Sequence, residues 1–378
     1  MKKNRLLLAI LLGSMLCISA CGSKDEEKKN KKITALESVN SGDYRLAIPY
    51  ASSDARQTHI QFNRSTYDVD AVGEGLLRYS KEHFNPDNYY LQEGQLLDRD
   101  TLQAGLTYGD KEGLLGSKST DNPYGLNPED GSSMPAEEGV TITAKAGSGG
   151  TIPVGDVFEV NFIEDLEEDA EIKGISLAIV LNPNVNDANG ESHVISDENL
   201  KVYGEEAGRN LVAYLKKQPE IGSNTPILVA LFKADSSDDS LPGSFIAVGY
   251  GKGTINQFDD VNENWIMFPG DTAESTDSQL LSQFNAIKDS LHTFLPNDTG
   301  IVGKGFFVDN RILKMQINVI SQCKDYTEKM AIVQYTRELL SNFTSTDMEI
   351  TVKIDADNDT FAMIKRNKGK SDSDVIMY

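Results

Sequence analysis

Apolar residues fall along this chain in two rhythms. Runs of alternating or continuous apolar positions mark strands, and apolar positions three or four apart mark helices. Arg45 to Tyr50 reads as a short strand, and Thr58 to Phe62, with Ile60 and Phe62 alternating, as another. Val72, Leu76, Leu77 and Phe84 recur at helical spacing, so a helix is predicted over Val69 to Phe84, stopped by Pro86. Asp100-Thr101-Leu102 opens a further short helix. From residue 107 to 155 the rhythm is lost among Gly, Ser, Pro and acidic residues, which predicts a long, partly ordered excursion.

The rhythm returns at Ile175 to Leu181, a buried strand, followed by a turn at Asn189-Gly190. A helix from Ser196 to Lys217 carries Leu200, Tyr203, Ala207, Leu211 and Tyr214 on one face. Strands follow at Pro226 to Lys233 and Ser244 to Tyr250. After a helix at Ser278 to Phe294 and a strand at Val302 to Val308, the same grammar is repeated. Its second copy is strand Ile312 to Ile320, helix Thr327 to Phe343, and strands Met348 to Ile354 and Phe361 to Lys365. The expected class is α+β: a mostly antiparallel sheet with helices packed on one face, and two strand-helix-hairpin (βαββ-like) units in the C-terminal two-thirds. The organisation expected is a leader over 1–20, a polar tether over 21–40, an α+β region over 41–172, one unit over 173–260, and a helix plus the second unit over 261–378.

The long apolar run at the start belongs to a different category. Lys2, Lys3 and Arg5 precede Leu6 to Ile18, and small residues end the run just before Cys21. Charge, apolar core and small-residue exit make a secretory signal, too short to span a bilayer comfortably. The box Ile18-Ser19-Ala20-Cys21 resembles the bacterial lipobox. That resemblance implies cleavage before Cys21 by a signal peptidase, a diacylglyceryl thioether on its sulfur, and residence on the outer face of the cytoplasmic membrane. Two acyl chains hold where one does not, since each buried methylene contributes ~0.8 kcal/mol. Residues 22 to 40 are polar, charged and free of aromatics, which predicts a flexible tether.

Composition narrows the partners. With 36 basic against 58 acidic residues the formal charge is −22, a surface that repels nucleic acid. Cys17 lies in the leader and Cys21 takes the lipid, leaving Cys323 without a disulfide partner and expected to pack as a small hydrophobe.

The chemical motifs dissolve on inspection. Asp355-Ala356-Asp357-Asn358-Asp359 starts like a calcium loop, but Thr360 stands where glycine is needed and Arg366 where the closing glutamate belongs. It reads as a hairpin turn, as does Asp235 to Ser240 in the first copy. Gly249 to Thr254 lacks the Lys-Ser/Thr step and the helix of a phosphate loop. His193 and Asp197 are neighbours without a nucleophile elbow. Trp265 reads as a core or inter-domain plug. No cofactor, metal or catalytic set is expected.

Five ordered stretches carry a family resemblance: Gly42-Asp43-Tyr44-Arg45 with Pro49-Tyr50 and Ala55-Arg56; Tyr90 to Asp98; Gly125-Leu126-Asn127-Pro128; Pro242-Gly243-Ser244-Phe245; and Val302-Gly303 with Phe307-Val308-Asp309. Together, behind a lipobox, they resemble the CamS family of Gram-positive sex-pheromone lipoproteins over most of residues 42 to 378. The resemblance implies a non-enzymatic precursor whose cleaved leader is trimmed to a short apolar peptide that induces conjugation in plasmid-bearing cells. The matching segment is Ser14-Met15-Leu16-Cys17-Ile18-Ser19-Ala20, which departs from the family's Phe- and Ile-containing pheromone at Met15 and Cys17. The alternative is that the mature domain is a binding module for a peptide, a cell-wall polymer or a host surface.

Overall fold

The computed structural model describes residues 33–56, 67–103, 113–147, 149–167, 170–234, 241–294, 299–356 and 359–378. Two large sheets, both mostly antiparallel and each with its own helices, make an α+β fold. The predicted strand at Thr58 to Phe62 and the acidic turn at 235 to 240 lie outside the described residues.

The first sheet has eight strands. In chain order they are β1 (Thr34–Leu36), β2 (Arg45–Ile48), β3 (Tyr90–Glu93), β6 (Val154–Ile163), β7 (Gly174–Leu181), β10 (Pro226–Lys233), β11 (Ser244–Lys252) and β12 (Phe258–Asp260), and this is also their order across the sheet. Strands from the 41–172 region and from the 173–260 unit therefore share one sheet. The excursion after residue 107 contains the small hairpin β4 (Ser133–Pro135) and β5 (Thr141–Thr143), and β8 (Asn184–Asn186) pairs with β9 (Ser192–Val194) beside it.

Strand β7 explains the layering. Every residue of Gly174–Leu181 is buried. Ile175, Leu177, Ile179 and Leu181 face α3 (Asp197–Leu215), packing with its Leu200, Ala207, Leu211 and Leu215. Ala178 and Val180 face the opposite way, onto Val72 and Leu76 of α1 (Val69–Ser80) and onto Phe84. A strand apolar on both faces needs cover on both, so this sheet carries helices on two sides, where one was expected. Between α1 and α3 lies the single-turn helix α2 (Arg99–Gln103).

Helix ends follow local chemistry. The Asp68 carboxylate accepts from Asp70 and Ala71 N–H at the start of α1, and Ser196 Oγ accepts from Asn199 N–H at the start of α3. Helix α1 ends at Ser80, short of the predicted Phe84, because the chain then tightens into a turn in which Glu82 and His83 N–H donate three residues back, to the Tyr79 and Ser80 carbonyls.

The tether expected over 21–40 is corrected at its end. Thr34–Leu36 pairs with β2 in register Thr34↔Ile48 to Leu36↔Leu46. Backbone pairing fixes it with little burial, since Leu36 stays half-exposed.

The second sheet runs β13 (Glu263–Phe268), β14 (Thr299–Val308), β15 (Arg311–Ser321), β16 (Glu349–Ala356), β17 (Asp359–Arg366) and β18 (Asp374–Met377). Helices α5 (Ser278–Phe294) and α6 (Tyr326–Leu339) cover it, after the short α4 (Asp271–Thr276). Helices cross between parallel neighbours in both sheets: α1 joins β2 to β3, α3 joins β7 to β10 and α6 joins β15 to β16, and in each case the next strand of the sheet returns antiparallel. Asp309 and Asn310, with φ of 49° and 59°, make the two-residue turn between β14 and β15.

Only Val261 and Asn262 separate β12 from β13, and the contact between the sheets forms immediately afterwards. The Glu263 carboxylate, 2% exposed, accepts from the Arg78 guanidinium and the Tyr79 hydroxyl of α1, and from Phe245 N–H at 3.3 Å. Burial, the largest single influence, would lower the Arg78 pKa, but the Glu263 charge and the contacts with Tyr79 and Glu263 together outweigh it, and the guanidinium is held above its ordinary value. Trp265 packs at a tilt of 37° against Phe306 with centroids 5.0 Å apart, and Arg78 lies 5.2 Å from the Phe306 ring. Lys314 pairs with Glu74 across the same seam.

Arg78→Ala and Glu263→Ala are each expected to destabilise the protein by about 3 kcal/mol, because each strands the other's charge. That is the low end for buried pairs, since the Arg78 side chain is 34% exposed. Urea unfolding of both single variants and the double variant checks it: the double should lose clearly less than the sum. Additive losses would show that the two groups act independently.

Candidate functional site

The largest structural consequence of the 113–136 segment is a groove beside α3, with a volume of about 330 Å³. Asn127 builds its floor. Its side-chain amide donates to the Leu115 and Val154 carbonyls at 2.8 and 3.0 Å, and its oxygen accepts from Val154 N–H at 2.9 Å. This buried two-way clamp fastens the excursion to the start of β6. One wall is Leu126, Pro128 and Met134, and the other is Val202, Tyr203 and Asn210 of α3. Val202 is 63% exposed, an apolar residue on an otherwise polar stretch of helix. Lys118 and Glu206 sit at the rim, 3.7 Å apart. Burial pushes the Tyr203 hydroxyl pKa well above its ordinary value, so it is a neutral donor there.

A wider cleft of about 720 Å³ lies over β11, where His83 stacks on Tyr250 with centroids 3.8 Å apart. Burial lowers the His83 pKa, outweighing the neighbouring Glu82 charge, and favours the neutral ring.

The sequence-derived candidates distribute unevenly. Ser14, Met15, Leu16, Cys17, Ile18, Ser19, Ala20 and Cys21 lie outside the described residues. Cys323 is buried and contacts Ser321 Oγ at 3.2 Å. Asp355 is occupied by Lys353 Nζ and Thr360 Oγ1, both at 2.9 Å, while Asp357 and Asn358 lie outside the described residues. Arg366 turns inward and donates to the Leu340, Phe343 and Ser345 carbonyls, neutralising the end of α6. Gly249 to Lys252 continue β11.

His193 and Asp197 do not meet, since Asp197 binds Lys233 Nζ at 2.9 Å. His193 instead faces Asp187, Nε2 to Oδ2 at 3.4 Å, with Glu191 close by. Sequence reading missed this cluster because it rests on cross-strand pairing in a hairpin, for which Asn189-Gly190 was the available signal.

The stretches that carried the resemblance prove to be fasteners. Tyr44 donates to the Phe84 carbonyl, and Asp43 binds Lys81 at 2.7 Å. In Tyr90 to Asp98 the chain wraps the buried Glu159 carboxylate, which accepts from Gln95, Leu96 and Leu97 N–H at 2.8–3.2 Å. Only glycine fits at Gly94, where a Cβ would lie 2.5 Å from the Glu159 side chain. Burial pushes the Glu159 pKa up, and the three amides oppose it without reversing it. Phe245, the end of Pro242 to Phe245, donates to Glu263. Gly125 to Pro128 alone among these stretches lines the groove.

Residues 50–372 match the family model described as CamS sex pheromone cAM373 precursor. The fold is similar to the crystal structure of a sex pheromone precursor from Lactobacillus salivarius subsp. salivarius, with a TM-score of 0.77 and 23% identity over 92% of this chain and 99% of that one. It is also similar to the C-terminal domain of the sex pheromone staph-cAM373 precursor from Staphylococcus aureus, with a TM-score of 0.62 and 22% identity over 82% and 96%. No curated protein matches the chain.

The raised Glu159 pKa fixes a sign. A carboxyl whose folded pKa exceeds its unfolded value adds stability at low pH and loses that contribution as pH rises through the folded value. The stability of the wild type relative to Glu159→Gln should therefore fall as pH is raised from 4.5, the ordinary value of the group. Denaturant unfolding at several pH values reads it, and a gap that widens with pH would show the amides, not burial, in control.

Proposed function

Because the chain belongs to the CamS sex pheromone precursor family, we propose that it is a two-part product: a leader that yields a signalling peptide and a lipid-anchored extracellular domain. The observation that carries this reading is the leader itself. Its apolar run ends in Ile18-Ser19-Ala20-Cys21, and the seven residues before the cysteine, Ser14 to Ala20, are uncharged. A peptide of that kind, short and without charged side chains, enters an apolar receptor pocket at little desolvation cost. Cys21, carrying diacylglycerol, becomes the first residue of the mature chain and holds it on the outer face of the cytoplasmic membrane. The role is non-enzymatic: the leader signals and the domain is its carrier.

The groove along α3 supports a second role for the domain once anchored, as a binding module. Apolar walls from Leu126, Met134 and Val202 with amide groups from Asn199 and Asn210 suit an extended peptide. Cell-wall polymers and host surfaces are the competing ligands. Val202→Glu alters this wall at an exposed position, so it should lower retention on a peptide array without lowering thermal stability, whereas unchanged retention would remove the groove from this role.

The signalling half is tested with the synthetic heptapeptide of residues 14 to 20. Applied to responder cells, it should raise plasmid transfer in a dose-dependent way over a scrambled heptapeptide. Equal transfer with both peptides would contradict the proposal.

A further inference from the structure

The hairpin β8–β9 presents three metal-ligating side chains on one face. In its register Val185 stands opposite His193 and Asn186 opposite Ser192, and Asp187 N–H then donates to the Glu191 carbonyl at 2.9 Å. Successive strand residues point to opposite faces. Asp187 and Glu191 are therefore a direct cross-strand pair, and His193 is the diagonal neighbour of Asp187 on that same face. Asn189-Gly190, with Gly190 at φ +82°, closes the turn that makes this register.

The positions of the ligand atoms are more specific than their residue types. One carboxylate or imidazole atom from each of Asp187, Glu191 and His193 lies within 4.8 Å of the other two. His193 Nε2 is screened from solvent and makes no hydrogen bond. Its 3.4 Å separation from Asp187 Oδ2 is too long for a good N–H···O bond. It equals the edge of a tetrahedral coordination shell, where two ligands ~2.0–2.1 Å from zinc sit about 3.3–3.4 Å apart.

The second oxygen of Asp187 is already used for orientation. Oδ1 accepts from Asn189 N–H at 2.8 Å and Glu191 N–H at 2.9 Å, while Oδ2 has long contacts with Asn189 Nδ2 at 3.5 Å and His193 Nε2 at 3.4 Å. Outer hydrogen bonds on one oxygen with the other left directed inward are the way proteins aim a ligating carboxylate. The Asp187 side chain is 10% exposed and Glu191 is at the surface, so the cluster opens on one side.

We propose that Asp187, Glu191 and His193 form a binding site for a divalent transition ion of the zinc class, with three protein ligands and one position open to water or an outside ligand. The ion clamps a hairpin that is already fastened to the excursion by Ala188 N–H donating to the Thr143 carbonyl at 2.8 Å, on the same β4–β5 unit whose Met134 lines the groove. One sharp turn thus supplies a hard oxygen pair and an imidazole nitrogen, a set that suits zinc better than calcium, which takes oxygen alone.

The test is titration of the full chain in detergent, stripped with EDTA, with Zn²⁺ against a chromophoric chelator. His193→Ala, Glu191→Gln and Asp187→Asn are titrated in parallel. One tight equivalent is expected for the wild type, weakened at least tenfold in each variant, with a zinc-dependent rise in melting temperature that the variants lack. Melting temperatures without metal establish that the variants fold. Glu191→Gln, at the surface, stays informative if either inner substitution unfolds the hairpin. No tight equivalent in the wild type, or the same affinity in wild type and folded variants, overturns the site; the latter would place the ion elsewhere on the acidic surface.

Discussion

A single buried carboxylate holds the two halves of this protein in register. Glu263 is the first residue of the second sheet, and its three donors belong to the other half: Arg78 and Tyr79 to α1, and Phe245 N–H to β11 of the first sheet. A carboxylate at 2% exposure is costly in isolation and becomes acceptable only when charge and hydrogen bonds meet it. Because the linker is two residues long, a small rotation between the sheets would break all three bonds together. Lys314 on Glu74 and Arg78 beside the Phe306 ring lie in the same seam.

The same device recurs inside the first sheet. Glu159 gathers the amides of residues 95 to 97, and Asn127 gathers the backbone of residues 115 and 154. Each fastens an irregular segment onto a regular one by satisfying backbone groups that the sheet cannot reach. These are also the segments by which the sequence resembles its family. Their constraint is architectural: they keep the 113–136 excursion folded against α3, and the groove is the surface that this fold leaves behind.

Much of the architecture was legible because core-facing periodicity is strong where burial is deep. Ile175 to Leu181, the α3 face, Ser278 to Phe294 and the last two hairpin strands were readable almost to the residue. Strand β6 was not, because Asp156, Glu159 and Asn161 interrupt its apolar run, and these polar groups are buried against partners from residues 67 and 95 to 97 or within the sheet. Strand β1 was hidden because it is ordered by pairing rather than burial. The sites were less legible. The hairpin cluster depends on register across β8 and β9, and the groove on where Asn127 pins its loop, neither of which a linear pattern carries. The leader is the reverse case: residues 14 to 21 speak through order and composition alone.

The domain and the proposed leader thus rest on different physics, a fastened two-sheet fold and an apolar segment that ends at the cysteine proposed to carry lipid. Intact mass and tandem mass spectrometry of the amino-terminal peptide, from protein isolated from membranes of cells with a working lipidation pathway, tests their separation most directly. The account predicts a chain beginning at Cys21 with a diacylglyceryl group on its sulfur. A chain that begins elsewhere, or an unmodified cysteine in membrane-bound protein, would contradict it.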